Sequence, residues 1–557
     1  MKGRVVCLRT PTLSTTPRGI RYDRRRAAVF PYFSGVWVLS RAIFKSTTVV
    51  GLTTLISRIT GLARDMVYSQ MVPVALLDAF LVAFKIPNFL RRLFAEGSFS
   101  QAFVPVISEY RVKREHDEVR ELVDGVAGTF GVVLFAVTAL GVIAAPLIIL
   151  AFAPGWHDAH DKFDLAVEML RWTFPYLFFI SLTALFSGAL NSYGRFVVPA
   201  ITQVIMNAVM ITFAVWIAPH TASPGVTLAI GVFTSGLLQL GFQLPAVMRL
   251  GLFRRPRWRP AAEGVRRTAR LMLPGIVGSS MGQLSLLLDT QIASFLMTGS
   301  IAWLYLADRI MEFPLGVFSI ALATVILPGL SRHHAEQSPE HFTATLDWAL
   351  RLVILLVSPA SVAMLVFAGP MTATIFGYGA FTTHNVQMAS YALMAYSWGL
   401  LGFSLVKVLA PGYFARQDTR TPVRVGLIAL GVNIATNLAV VLPAKYLGFP
   451  YPHVLLATST CLGAAVNTAL LWRGLVRAGV YRPRAGWSAL LARIVFANAA
   501  MGSLLVWLAG DLGGWLATPP FARALKLAAC IVAGAATYFA ALFVSGLRLA
   551  QMRAGHA

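Results

Sequence analysis

The sequence predicts an all-α polytopic membrane protein of about fourteen transmembrane helices, arranged as two pseudo-symmetric six-helix lobes followed by a C-terminal helix pair. Three observations carry that expectation. Hydrophobic residues make up 57% of the 557 residues and charged residues only 13%, with a mean hydropathy of +0.69. Soluble domains run about 45–50% apolar and about 25% charged. Apolar stretches of bilayer-spanning length, about 20 residues each, recur between charged or turn-like breaks, and the basic residues collect on alternate breaks.

Residues 1–43 stand apart. They carry Arg18, Arg21, Arg24, Arg25 and Arg26, then an apolar stretch from Ala27 to Leu39. The stretch mimics a signal peptide, but Pro31 and Gly35 interrupt it, so a signal peptide is not the favoured expectation. A basic, disordered cytoplasmic tail is expected, or sequence ahead of the true start codon. The spans of the first lobe (44–250) fall at 46–71, 77–107, 122–153, 166–190, 197–216 and 225–248. Those of the second (251–480) fall at 271–296, 300–330, 343–370, 386–414, 425–442 and 453–472, and the final pair (481–557) at 487–509 and 524–547.

With the N-terminus in the cytoplasm, 33 of the 47 Lys and Arg residues fall on cytoplasmic breaks and 3 on the other side. That asymmetry obeys the positive-inside rule and puts both termini of a multi-pass inner-membrane protein in the cytoplasm. It also accounts for most of the +24 net charge. Nucleic-acid modules with basic and aromatic interleaving are missing, so no nucleic-acid partner is expected.

The lobes are legible as a repeat. A gapless shift of 223 residues places Pro105 on Pro328, Ser108 on Ser331, Asp124 on Asp347, Ala145 on Ala368, and Ser181-Leu182 on Ser404-Leu405. An even number of helices separates the copies. The repeats are therefore parallel, related by an axis along the membrane normal, as in transporters whose halves rock about a central site.

Charges at membrane depth are costly and face cavities. Arg58 and Arg64 lie in the first span, Lys85, Arg91 and Arg92 in the second, and Arg309 in the eighth; Asp65, Asp78, Glu96, Asp308 and Glu312 are the acids nearby. Arg309 and Glu312, three apart, share a helix face, and Asp78 is a candidate partner for an arginine of the first span. Under the repeat shift Arg58 meets Met281, Arg64 meets Leu287, Arg91 meets Pro314 and Arg309 meets Ile86. The scaffold repeats and the charges do not. That favours a substrate role, because the planar guanidinium fork suits phosphate oxygens. The plain alternative is interhelical pairing, or, for Arg92, snorkelling to the interface. Gly61, Pro87 and Gly97 interrupt the first two spans and read most simply as ordinary kinks.

A second cluster is quieter. Asp289 lies deep in the seventh span with no basic residue within a turn, and Asn433 and Asn437 share a face of the eleventh. Carboxylate and amide oxygens suit Na⁺ or a proton as a coupling ion; interhelical hydrogen bonding is the alternative. No Walker P-loop and no H-E-x-x-H occur, so neither catalytic residues nor a metal centre is expected, and the chain reads as a transporter. Cys7, Cys461 and Cys530 show no pairing or ligand spacing and read as small apolar fillers.

The runs SRITGLARD (57–65), DAFLVAFKIPNFLRRLFAEGSFSQAFVPVISEY (78–110), ADRIMEFPLGVFSIALATVILPGLS (307–331) and KVLAPGYFARQDTRTPV (407–423) closely resemble the MurJ (MviN) family. The resemblance extends from about residue 42 to the end. It implies a flippase of the multidrug/oligosaccharidyl-lipid/polysaccharide exporter superfamily that moves lipid II, an undecaprenyl-diphosphate-linked disaccharide peptide, for peptidoglycan synthesis. It implies fourteen helices, a central cavity with Arg58, Arg64, Arg91 and Arg309, and Asp78 and Glu312 as their acidic partners. Lys85 joins the set as a further cavity cation. No cofactor is implied, beyond Na⁺ or H⁺ as a coupling ion, and the unit is a monomer among membrane lipids. Alternatives are a flippase for another polyprenyl-diphosphate-linked glycan, or a drug/cation antiporter, which would want an acidic cavity. An integral glycosyltransferase would want carboxylates in an exposed loop, for which 155–164 is the candidate.

Overall fold

Glycine and proline punctuate an otherwise continuous run of helices. The computed structural model describes residues 51, 53, 55–93 and 99–547, with side chains for these except 273–284, 286, 320, 321, 324 and 325. The basic tail, Glu96, Gly97, Arg548 and Arg553 lie outside the described residues. The helices are α1 (55–71), α2 (Val74–Arg91), α3 (Ser100–Lys113), α4 (His116–Ile143), α5 (Ala145–Phe152), α6 (His160–Thr173) and α7 (Tyr176–Ser192). Next come α8 (Val197–Thr212), α9 (Pro224–Arg249), α10 (Glu263–Ser294), α11 (Ser300–Pro314), α12 (Ala321–Ala335), α13 (Pro339–Val366) and α14 (Ala368–Phe376). The chain closes with α15 (Thr383–Phe414), α16 (Arg420–Thr436), α17 (Leu442–Tyr446), α18 (Pro452–Arg477), α19 (Trp487–Ala509), α20 (Leu512–Ala517) and α21 (Pro520–Val544).

Among the described residues, ten helical stretches are long and apolar enough to cross a membrane. They coincide with ten of the expected spans. The described residues of the other four expected spans, at α1, α2 with α3, α10, and α11 with α12, are helical as well and carry intramembrane charges. Several expected spans are broken. The 122–153 span divides after Ile143, where Pro146 opens α5, and the 166–190 span divides at Pro175, ahead of α7. The 300–330 span passes through a π-helical segment, Leu315–Ile320, directly after Pro314. Proline lacks the N–H that the preceding turn needs, so the helix stops or loosens there.

The 223-residue period recurs in the helix boundaries. Helix starts at His116, Ala145 and His160 recur at Pro339, Ala368 and Thr383, each pair 223 residues apart. The aligned aspartates also do the same work. Asp124 on α4 accepts from the backbone N–H of Arg254 (3.0 Å) and Arg255 (3.3 Å), in the strap that leaves α9. Asp347 on α13 accepts from the Tyr481 hydroxyl (2.6 Å) and the Trp487 indole (2.8 Å), in the strap that leaves α18. Arg351 pairs with its other oxygen at 2.7 Å. Burial, and then the carboxylate it donates to, hold the Tyr481 phenol above its usual range.

Packing sorts the helices into two groups. In the first half α2, α6, α7, α8 and α9 pack on one another; in the second, α11, α13, α15, α16 and α18 do, and α19 pairs with α21 against α13. Helix α10 straddles both. Its start meets α3 and α4, with Arg267 on Glu109 at 2.8 Å, and its later part meets α16 and α18.

One end of the molecule, here the basic end, carries the arginine-rich breaks at 111–120 and 249–270. At the opposite end the halves are tied together. The Gly155 N–H donates to Ser294 Oγ (3.0 Å), the Gln291 amide to Ala151 O (2.6 Å), and the Ala380 N–H to Gln70 O (2.8 Å).

Candidate functional site

Between α1, α2, α8, α10 and α11 lies a cavity of about 550 Å³. Six basic side chains line it: Arg58 and Arg64 from α1, Lys85 and Arg91 from α2, Arg92 just beyond, and Arg309 from α11. Two acidic ones, Asp308 and Glu312, oppose them. The surplus of positive charge sits among apolar walls that include Leu81, Phe84, Phe152 and Leu287. In such surroundings charge–charge attraction is much stronger than in water.

The arginines are not equivalent. Arg64 is 6% exposed and fully committed. It donates to Asp65 Oδ1 from Nε (3.0 Å) and Nη2 (2.7 Å), to the Tyr305 hydroxyl (3.1 Å), and to Asn207 Oδ1 (3.3 Å). Asp65 is wholly buried, and its other oxygen forms an ion pair with Arg309 Nε at 2.8 Å. Arg309 in turn donates to Glu312 at 2.9 Å. Tyr305 closes the loop by donating to Asp65 at 3.2 Å. One carboxylate thus holds an arginine from each half of the chain.

Arg91 Nε donates to Asn88 Oδ1 (3.1 Å), one turn back on the same helix. Lys85 Nζ donates to Thr290 Oγ1 (3.2 Å), joining α2 to α10. Arg92 is exposed on the lining. Arg58 has no hydrogen-bond or ion-pair partner among the described residues; its guanidinium lies against Gly316.

Asp78 is elsewhere, and its expected pairing with a cavity arginine is corrected. It lies at the opposite end, 1% exposed, and accepts from Lys162 (3.0 Å) and from the N–H groups of Gly299 (2.6 Å) and Ala302 (2.8 Å). Those N–H groups begin α11, and the free amides and dipole of a helix N-terminus attract a carboxylate. Asp78 therefore ties α2 of the first half to α11 of the second. The acid that sits between the arginines is Asp65.

The second cluster is brought together. Asn433 Nδ2 donates to Asp289 Oδ1 (3.2 Å), Thr460 Oγ1 donates to Asp289 Oδ2 (3.3 Å), and Asn437 Nδ2 donates to Asn433 Oδ1 (2.8 Å). Asn437 begins a π-helical segment, Asn437–Val441, of a kind that recurs at functional sites. Its Oδ1 is buried with no hydrogen-bond partner among the described residues.

Sequence reasoning passed over Asp65, Asn207, Tyr305 and Thr460 as members of these sites. For Asp65 a signal was present: 58, 61 and 65 fall at helical spacing, so it shares a face with Arg58. For Asn207 and Tyr305 the partners lie far away in the chain, and no local pattern marks them.

The family profile described as lipid II flippase MurJ matches residues 73–516. A protein of Vibrio cholerae serotype O1, described as a probable lipid II flippase MurJ, is 45% identical over 524 residues, covering 93% of this chain and 98% of that one. The chain belongs to the lipid II flippase MurJ family. A Burkholderia cenocepacia family member described as lipid II flippase MurJ is 40% identical over 518 residues, covering 92% and 99% of the two chains. A solved structure titled lipid II flippase MurJ, inward closed conformation, shares the fold with a TM-score of 0.72 at 24% identity, over 88% of this chain and 97% of that one. An inward-facing multidrug MATE transporter is more distant in fold, with a TM-score of 0.59 at 15% identity over 76% and 95%. The MurJ family match begins after α1, so Arg58, Arg64 and Asp65 lie ahead of it, and it includes every other cavity residue named above.

Proposed function

We propose that this MurJ family member is a flippase that carries lipid II from the cytoplasmic to the periplasmic leaflet, and that its cavity arginines take the diphosphate. The observation that carries this reading is the cavity lining, six basic side chains against two acidic ones at membrane depth. A diphosphate ester brings several acceptor oxygens and at least two negative charges, which matched guanidinium forks bind best. Arg58, Arg91 and Arg92 are the first hands on the ligand, and Arg309, oriented by Asp65 and Glu312, is the fixed one. Arg64 supports that geometry from behind. The polyprenyl tail stays in lipid while the headgroup enters.

The basic end is the cytoplasmic one in this reading, following the positive-inside rule. The ties at Asp78, Gly155, Gln291 and Ala380 then close the periplasmic side. Transport needs residues 44–250 and 251–480 to rock as lobes, so that those ties break and the cavity opens outward. No covalent bond changes. The Asp289, Asn433, Asn437 and Thr460 oxygens fit a hard cation, and we assign Na⁺ or H⁺ there as the coupling ion, cargo rather than cofactor.

A drug/cation antiporter is disfavoured by the basic lining. A flippase for another polyprenyl-diphosphate glycan shares the diphosphate and is separated by experiment. The native lipid II flippase is depleted in a sensitised cell carrying this gene. Restored growth and lipid II export support the proposal; accumulation of lipid II on the inner leaflet despite normal protein levels would overturn it.

A further inference from the structure

Two glycines, Gly61 on α1 and Gly316 on the cavity lining, are pressed against arginines of the opposite half. A Cβ built on Gly61 of α1 would stand 2.5 Å from Arg309 Nη2 and 3.8 Å from its Cζ. A Cβ built on Gly316, in the π-helical segment after α11, would fall onto the guanidinium of Arg58. The arrangement is reciprocal. The first half's Arg58 rests on the second half's Gly316, and the second half's Arg309 rests on the first half's Gly61.

Conformation does not explain either glycine. Neither has a positive φ, and both lie in helical backbone. Alanine is the better helix former at such positions. A simple kink would not aim each glycine at one guanidinium either. What glycine supplies here is room. At Gly61 the conflict is with the arginine alone, since the next neighbour, Asn207 Nδ2, would be at an ordinary 3.6 Å.

We infer that Gly61 and Gly316 are positioning residues for substrate binding, notches that seat the guanidinium groups of Arg309 and Arg58 across the interface between the halves. The inference rests on the reading of those arginines as diphosphate ligands. It adds a consequence. Because each arginine is seated by the other half, both placements exist only while α1 and the segment after α11 are in contact at this depth. Parting of the halves unseats both together, so the cationic set belongs to one conformation. A transporter needs that difference in affinity between its states.

The test is a pair of double-mutant cycles on the full chain in lipid nanodiscs, read as lipid II affinity. One combines Gly61→Ala with Arg309→Lys, the other Gly316→Ala with Arg58→Lys. Lysine keeps the charge but ends short of the Nη positions, so it relieves the conflict. Gly61→Ala should weaken binding about tenfold beside Arg309 and less than about twofold beside Lys at that position, a coupling typical of contacting residues. The second cycle should behave alike. Equal losses in both backgrounds overturn the notches, because a glycine needed only for kinking ignores the side chain opposite. If the lysine variants alone bind lipid II with unchanged affinity, the diphosphate reading fails instead. Should Gly61→Ala fail to accumulate, Gly61→Ala with Arg309→Lys should be recovered at normal levels; failure of that variant too overturns the inference.

Discussion

Asp65 Oδ2 stands 2.8 Å from Arg309 Nε, while Asp65 Oδ1 takes two donors from Arg64, so a single buried carboxylate joins α1 to α11. Removing it strands two cations. Breaking a buried pair costs about 3–5 kcal/mol, and Arg64, at 6% exposure, has little access to water. Asp65→Ala should therefore lower the melting temperature of detergent-solubilised protein and its yield in membranes, with Asp65→Asn falling between. Arg58→Ala should leave both unchanged, because Arg58 has no ion-pair partner among the described residues to strand. Equal melting of Asp65→Ala and Arg58→Ala would remove the distinction between supporting and substrate-facing arginines.

The Asp78 carboxylate caps α11 from the first half, and its loss should loosen the end opposite the basic loops. Backbone contact between Gln70 and Ala380 (2.8 Å) offers a reporter. In a Gln70→Cys/Ala380→Cys variant lacking the native cysteines, oxidative cross-linking should be efficient, and Asp78→Ala should slow it several-fold. Cross-linking at an undiminished rate would mean that Asp78 does not hold the halves together.

The two strap clasps predict matched but unequal damage. Asp124 takes two backbone donors, whereas Asp347 takes two side-chain donors and the Arg484 N–H and pairs with Arg351. Losing the acceptor for buried donors costs about 1–3 kcal/mol. Asp124→Ala should lower thermal stability measurably, and Asp347→Ala should lower it more. The reverse order would show that the straps are held chiefly by their apolar contacts.

Much of this was legible in the chain. Fold class, repeat and charge asymmetry come from composition and from a 223-residue period, which survives because helix starts such as His116 and Pro339 obey it. The cavity cations were legible because an arginine at membrane depth has few reasons to exist. Their partners were not. Asp78 and Asp65 both neighbour basic spans in sequence, and only the geometry gives Asp78 to the N-terminus of α11 and Asp65 to the arginines. Gly61 reads as a kink until Arg309 is seen lying on it. Contacts between helices hundreds of residues apart leave no periodic trace, which is why Asn207 and Tyr305 went unmarked.

Coupling has its own test. Asp289 accepts from Asn433 and Thr460, beside the buried Asn437 Oδ1. Asp289→Asn removes the charge a cation would need and keeps the shape. Flipping in proteoliposomes should lose its Na⁺ or pH dependence while lipid II affinity changes less than about threefold, within the additivity expected of separate sites. Persisting ion dependence would return the cluster to interhelical hydrogen bonding.

If arginines facing this cavity bind the substrate's diphosphate, the Arg58→Ala/Arg309→Ala double variant should lose transport outright. Growth is scored in cells depleted of their own lipid II flippase, with the variant's membrane level read on the same cultures by immunoblot. Protein should reach the membrane, because Asp65 keeps its two donors from Arg64 when Arg309 is lost, and growth should fail. Lys at these positions should restore growth partly at most, since it keeps charge without the bidentate fork. Normal growth of the double alanine variant would contradict diphosphate binding by these arginines.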